Sequence, residues 1–394
     1  MALLQTLIDD GASLPVIDTH SHFLNETNID LTFILMHSYA QWKGVDFGPT
    51  REERQRYIDQ LRYSNYYVWL TRALSALYDL PQLSTDNWDA YDARIRERYQ
   101  RNPQHAYDIL GNCHYEKMIL DPYWQPGSNH GRPELFAPTY RLNMFFFGYN
   151  KDALDHNSQN PLVHYGVYPD TLDGYVAFMR GRMEAERANG CCAFKNALAY
   201  DRGLDFVCVT KDAAEKAYAN LQREVCLEDV KVFQDYIFGV QCDIAAELDM
   251  PMQCHTGLGK MDRSGASWLL QGIESHLETR FVLMHGSYPY PGDLLGLIHN
   301  CRNVYADICW LPLISTACAV RVLEELIELS TSDRICWGCD AWTAEESHGA
   351  LMAVRYVLAK VAEKKINEGF WTRDDARDIT RRILYTNAKE LFKL

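Results

Sequence analysis

The sequence predicts an α/β protein built as a (β/α)8 barrel. Two observations carry that expectation. Short apolar runs alternate with longer helical segments along the second half of the chain, the pattern of parallel βαβ units. Residues able to bind metal or titrate recur where those runs end, and barrel active sites are assembled at the carboxyl ends of the strands.

The runs begin near residues 14, 116, 142, 191, 250, 280, 303 and 334. Leu14-Pro-Val-Ile-Asp18 reads as the first strand and leads into Thr19-His20-Ser21-His22. Residues 24–112 are rich in Tyr, Trp, Arg and Leu, with apolar side chains at helical spacing, as in Tyr66, Leu70, Leu74 and Leu77. They are expected to form a helical insertion after strand one. Glu116–Asp121 and Leu142–Phe147 are read as strands two and three, with the turn-rich stretch Asp121–Pro133 as a loop over the active face. A helix over 172–188 precedes strand four at Cys191–Lys195, and one long helix is expected over 211–248. Strands five to eight follow as Met250–His255, Arg280–His285, Asn303–Ile308 and Arg334–Asp340, each with helical sequence after it. A barrel of this kind needs about 250 residues. The insertion and C-terminal helices after about residue 370 account for most of the surplus in a 394-residue chain, read as a single barrel domain.

Composition narrows the function classes. The chain is 47% hydrophobic, with a formal net charge of -14 and no long basic run, which excludes nucleic acid as an expected partner. No apolar stretch is long enough to cross a bilayer. The 12 cysteines are mostly scattered, and the lone CxxC, Cys336 to Cys339, has no second pair to complete a four-cysteine zinc site. The start of the chain lacks the basic and unbroken apolar regions of a signal peptide. A soluble, cytoplasmic protein with thiols rather than disulfides is expected.

Six candidate residues fall at five strand ends: His20 and His22, Lys195, His255, His285 and Asp340. In extended backbone i and i+2 point the same way, so His20 and His22 can bind one ion. Imidazole and carboxylate donors suit zinc, and also manganese, iron or nickel. Singly, each residue has a plainer reading: an exposed histidine pair, a hydrogen-bonded structural histidine, or for Asp340 a helix cap near Thr343. Lys195 is left open between a carbamate bridging two metals, a cation for an acidic substrate, and an ion-pair partner. Asp121, Tyr200, Arg202, Tyr288 and Trp310, at or just after strand ends, are the candidate substrate contacts, Arg202 for a carboxylate. The aromatic insertion reads as ordinary helical packing, with a lid or a contact between copies as the sharper alternatives.

Asp18-Thr-His-Ser-His22, Lys195, His255, His285 and Asp340, with the closing Tyr385-Thr-Asn-Ala-Lys-Glu-Leu-Phe392, resemble the amidohydrolase superfamily across essentially the whole barrel. Phe194-Lys-Asn-Ala-Leu-Ala-Tyr200-Asp-Arg-Gly-Leu204, His255-Thr-Gly-Leu-Gly259 and Leu283-Met-His-Gly-Ser-Tyr-Pro289 look like its "amidohydrolase 2" branch. Within it they are most similar to the domain joined to glutamine-synthetase-like modules in some fungi and plants, here expected to stand alone. The insertion also resembles that of uronate isomerases. The resemblance implies one metal, zinc first, held by His20, His22 and Asp340 with His255, and His285 beside water or substrate; a carbamylated Lys195 would add a second metal. It further implies hydrolysis of an amide, ester or lactone in a small polar, carboxylate-bearing molecule, with Asp340 as proton acceptor and Lys195 and His285 as further catalytic groups. Decarboxylation or isomerisation on the same site, or a retired barrel with a binding role, are the alternatives.

Overall fold

The computed structural model describes residues 2–394. Eight parallel strands run in the order β1-β2-β3-β4-β5-β6-β7-β8 as one sheet, a nearly closed (β/α)8 barrel. Helix α1 (Ala2–Ala12) precedes β1 (Val16–Ser21). The insertion carries α2 (Leu31–Met36), α3 (Arg51–Leu61), α4 (Asn65–Tyr78), α5 (Trp88–Arg101) and α6 (His105–Asn112) before β2 (Tyr115–Leu120) and β3 (Phe136–Arg141). Next come α7 (Pro161–Tyr165) and α8 (Leu172–Ala188), β4 (Ala193–Asn196), α9 (Lys211–Leu221) and α10 (Leu227–Glu247), and β5 (Met252–Cys254). The chain continues with α11 (Leu270–Ser275), β6 (Phe281–Leu283), α12 (Pro291–Asn300), β7 (Val304–Asp307), α13 (Leu311–Ile314), α14 (Thr316–Leu329) and β8 (Ile335–Cys336). It ends in α15 (Ala344–Asn367), α16 (Arg373–Arg381) and α17 (Asn387–Phe392).

Contacts gather into two compact units. The first holds residues 2–118, Ile308–Glu324 and Trp337–Ala388. Its spine is α15, which starts at the N-cap Thr343, whose hydroxyl accepts the Glu346 N–H at 3.2 Å. Acidic Glu345 and Glu346 in its first turn and Lys364 and Lys365 in its last complement the helix dipole. Helices α1, α4, α6 and α16 pack on it. On α4 the predicted spacing holds: Tyr66, Leu70 and Leu74 are buried and Leu77 is half-buried. Helix α1, which the sequence reading did not single out, buries Leu7 against Ala359, Ala362 and Ala376.

The first unit also holds a half-buried histidine. His348 Nδ1 lies 2.9 Å from Cys113 Sγ, and burial, then the charge of Arg355, lowers its pKa to about 4. The unfolded chain therefore takes up a proton near pH 6.5 that the folded chain refuses until about pH 4. Stability is full above the unfolded pKa and falls as the pH drops from 6.5 to 4, by about 3 kcal/mol from this group. Chemical denaturation of His348→Gln across that range should show a shallower fall than the wild type; parallel curves would contradict it.

The second unit holds Ile119–Asp307, Glu325–Cys336 and Lys389–Leu394. Its strands pair in parallel register, for example Arg141↔Lys195, Asn196↔Cys254, Cys254↔Leu283 and Leu283↔Ala306. The strand interiors are buried on both faces, as a sheet wrapped by helices requires.

Two expectations are corrected here. Strand three is Phe136–Arg141, while the run Asn143–Phe147 is a 3-10 helix. A short run buried on all sides has no period to distinguish helix from strand. Pro138 argued against the true strand, yet its carbonyl accepts the Cys192 N–H at 3.0 Å and Thr139 pairs with Ala193. The helix expected over 211–248 is two, α9 and α10, separated by residues 222–226. No Gly or Pro marks that break; each helix buries its own face, Ala214, Ala217, Tyr218 and Leu221 on α9 and Phe233, Ile237 and Phe238 on α10.

Candidate metal centre

Every residue of β1 is buried: Val16 and Ile17 belong to the core, and the strand ends in the polar Asp18–Ser21. The alternation of extended backbone brings His20 and His22 together, their rings 4.7 Å apart and edge to face. Asp340 lies just past β8 in a left-handed conformation, φ 56°, and its N–H donates to the His20 carbonyl at 2.7 Å. His20 Nε2 is 3.6 Å and His22 Nε2 3.1 Å from the same oxygen, Asp340 Oδ1. The His22 ring packs against Trp342, centroids 4.8 Å apart.

The donor set fits a divalent ion. All three residues are buried and offer ligand atoms within 4.8 Å of one another. Two donors bound tetrahedrally at ordinary Zn–N and Zn–O distances lie roughly 3.4 Å apart, and the two observed separations bracket that value. Two neutral nitrogens and one hard oxygen are ligands for zinc, manganese, iron or nickel.

Beneath these residues sits Asp18, fully buried. Its Oδ1 accepts the N–H groups of His20 (3.0 Å) and Cys339 (2.8 Å), and its Oδ2 accepts the Cys339 thiol at 2.6 Å. Burial and the Asp18 charge keep that thiol protonated, its pKa well above the ordinary range. Above, Glu346 accepts the N–H groups of Tyr39 (2.9 Å) and Trp342 (3.2 Å), and burial pushes its carboxyl up to about 8. Its neighbour Glu345 accepts the hydroxyls of Tyr78 (2.6 Å) and Tyr99 (2.9 Å), tying α4 and α5 to the start of α15. Trp310, φ 63°, is 1% exposed in an aromatic cluster, 4.6 Å from Tyr39 and 5.5 Å from Trp42 between centroids. That cluster makes packing the main business of this part of the insertion.

The second unit assembles a histidine pair. His255 follows β5 and His285 follows β6, the latter with φ 64°. His255 Nε2 is 2.6 Å from the Leu258 carbonyl, and His255 Nδ1 is 2.9 Å from His285 Nε2. A carbonyl only accepts, so the His255 proton sits on Nε2, its Nδ1 lone pair receives the His285 N–H, and the pair is fixed in one tautomer. Burial, then the charge of Lys195, drives the His255 pKa well below the usual range, so the ring is neutral. The Tyr200 ring packs against it at a tilt, centroids 4.3 Å apart.

The other predicted residues take these places. Lys195, 1% exposed at the end of β4, points its Nζ at Met284 Sδ, 2.6 Å away. Asp121 forms a two-pronged pair with Arg141, whose Nε lies 3.1 Å from Oδ1 and whose Nη2 meets Oδ2. Arg202 pairs with Asp235 at 2.7 Å and Asp205 at 3.3 Å, its guanidinium over the Phe206 ring. Tyr288, one residue beyond the turn that carries His285, crosses close above Gly257. A Cβ on Gly257 would lie 2.1 Å from the Tyr288 carbonyl oxygen, at a φ of 89° that only glycine adopts freely. Gly257→Ala should therefore cost about 3 kcal/mol of stability by denaturant titration; an unchanged midpoint would show that the turn yields.

Arg141 escaped sequence reasoning because strand three was placed one segment late. Its guanidinium ends β3, is stacked 4.3 Å over Tyr123 and lies 3.4 Å from His156 Nε2. The available signal was an arginine closing a six-residue strand after a turn-rich loop. Glu345 and Glu346 were masked by their ordinary place in a helix's first turn.

The comparisons agree with this architecture. Protein fluG of Emericella nidulans is 28% identical over 434 aligned residues, covering 100% of this chain and 47% of fluG; the chain thus spans about half the length of that curated relative. Uronate isomerase of Thermotoga maritima superposes with a TM-score of 0.80 at 15% identity, over 99% of this chain and 97% of that one. A Lactobacillus casei protein provisionally described as a metal-dependent hydrolase gives 0.71 at 19%, over 98% and 97%. At such identities these two establish a shared fold. The amidohydrolase family model matches residues 17–394, from inside β1 to the last residue, and the chain belongs to that family.

Proposed function

We propose that this protein is a metal-dependent hydrolase that cleaves an amide, ester or lactone bond in a small, polar, carboxylate-bearing molecule. The observation that carries the reading is the convergence of two buried imidazole nitrogens on one carboxylate oxygen, His20 and His22 on Asp340, just past the ends of β1 and β8. That arrangement is suited to holding a metal ion, and it supports the reading because a buried carboxylate with two histidines has few other uses.

His20, His22 and Asp340 would hold the metal, zinc in our reading. When bound, a divalent ion supplies Lewis-acid polarisation and acidifies water. Asp340 accepts the proton of the attacking water and returns it to the leaving group. His285, oriented by its hydrogen bond to His255, is in our reading the group that steadies the developing oxyanion. His255 is the further ligand in our reading, and its hydrogen bond to His285 orients that ring beside it. Lys195 places positive charge at the end of β4, suited to a substrate carboxylate, while Arg141 at the end of β3 is engaged by Asp121.

Turnover of a panel of carboxylate-bearing amides, esters and lactones in 18O-enriched water tests the reaction class. Hydrolysis puts one 18O into the product. The second reading, a non-hydrolytic isomerase or decarboxylase, draws on the fold shared with uronate isomerases; conserved substrate mass or released CO2 would replace our proposal with it.

A further inference from the structure

We infer that Asp18 is the positioning residue of the metal centre: its carboxylate clasps the backbones of the two segments that carry the ligands and sets their spacing. The inference rests on the metal reading above and goes beyond it to what builds the site.

A fully buried carboxylate is costly unless donors surround it. Three donors to Asp18 come from the ligand-bearing segments. One is the N–H of His20, a ligand residue; two are the N–H and S–H of Cys339, the residue before Asp340. The same two segments are joined again by Asp340 N–H to His20 carbonyl at 2.7 Å and by Thr19 N–H to Trp337 carbonyl at 3.3 Å. Asp18 Oδ1 thus sits in a closed ring of hydrogen bonds through His20, Asp340 and Cys339. Neither ligand-bearing segment can shift along the other without breaking several of these bonds at once.

Two features show that the ring holds the backbone where it would not rest unaided. Asp340 keeps a left-handed φ of 56°, a conformation a non-glycine residue retains when its surroundings over-determine it. Gly338 allows the approach: a Cβ there would lie 2.6 Å from His20 N, 2.7 Å from Thr19 Oγ1 and 2.9 Å from Asp18 Oδ1. The clasp therefore requires an acceptor at position 18 and no side chain at 338. Its product is the pair of short separations between the histidine nitrogens and Asp340 Oδ1.

Cobalt(II) titration tests this, because its visible absorption reports ligand geometry independently of turnover. His20→Ala, alongside, verifies that the titration reads this site. Asp18→Ala should bind cobalt about 10- to 100-fold more weakly, with an altered absorption band. Asp18→Asn keeps an acceptor for both N–H groups and should stay within about tenfold of the wild type. Asp18→Glu keeps the charge but displaces it by a methylene; it should bind more weakly than Asp18→Asn, and it decides the matter should Asp18→Ala not fold. An Asp18→Ala protein with wild-type affinity and spectrum overturns the inference. So does an Asp18→Asn protein that loses cobalt as completely as His20→Ala, since charge rather than backbone clasping would then be at work. If His20→Ala leaves the titration unchanged, the metal reading itself fails, and the inference with it.

Discussion

His20→Ala should abolish metal retention. Elemental analysis of the untreated wild type is expected to give about one equivalent of a divalent ion per chain, and the variant close to none. With His20 gone, His22 and Asp340 remain as two donors, too few to hold a structural or catalytic ion against water. Loss of several kcal/mol of charge stabilisation corresponds to a fall in turnover of roughly a thousandfold or more. The fold should survive, because the apolar part of β1, Val16 and Ile17, is untouched and fully packed. Circular dichroism on the same samples separates metal loss from unfolding. About two equivalents in the wild type would favour a carbamylated Lys195 bridging a second ion. No metal in the folded wild type would remove the central claim.

Asp340→Asn should separate proton transfer from metal binding. The amide has nearly the size of the carboxylate and keeps an oxygen facing His20 and His22, so the site's shape is preserved. It cannot accept the proton of the attacking water. Turnover should fall by about 10²- to 10⁴-fold, the range of a lost general base. The ion should also be held less tightly, because a neutral oxygen replaces an anionic one. Excess metal should then restore occupancy without restoring turnover. Full turnover at wild-type metal content would assign the proton to another group.

The residues differ in how far their roles were legible along the chain. The His-x-His spacing needs only the alternation of an extended strand, so His20 and His22 could be paired on paper. Asp340 and His285 were recognisable as residues that end apolar strands in an alternating βα pattern. Arg141 was not, because strand three was placed at Leu142–Phe147, one segment beyond the strand that Arg141 closes. Arg202 was read as a candidate for a substrate carboxylate, with a salt bridge as its plainer role; it pairs with Asp205, three residues on, and with Asp235, 33 residues further on in α10.

The sequence by itself determined what depends on near neighbours. Strand and helix alternation, the extent of the helical insertion and the same-side placement of His20 and His22 follow from periodicity. Tertiary structure decided what depends on partners that local sequence does not name. It chose Phe136–Arg141 over Asn143–Phe147 as a strand, because only the former pairs with β4. It broke the helix at 222–226, because α9 and α10 each had a face to bury. It joined Asp18 to Cys339 across 321 positions of sequence. Those outcomes turn on which buried donors, acceptors and apolar surfaces meet once the sheet curls, and a one-dimensional pattern carries no record of that meeting.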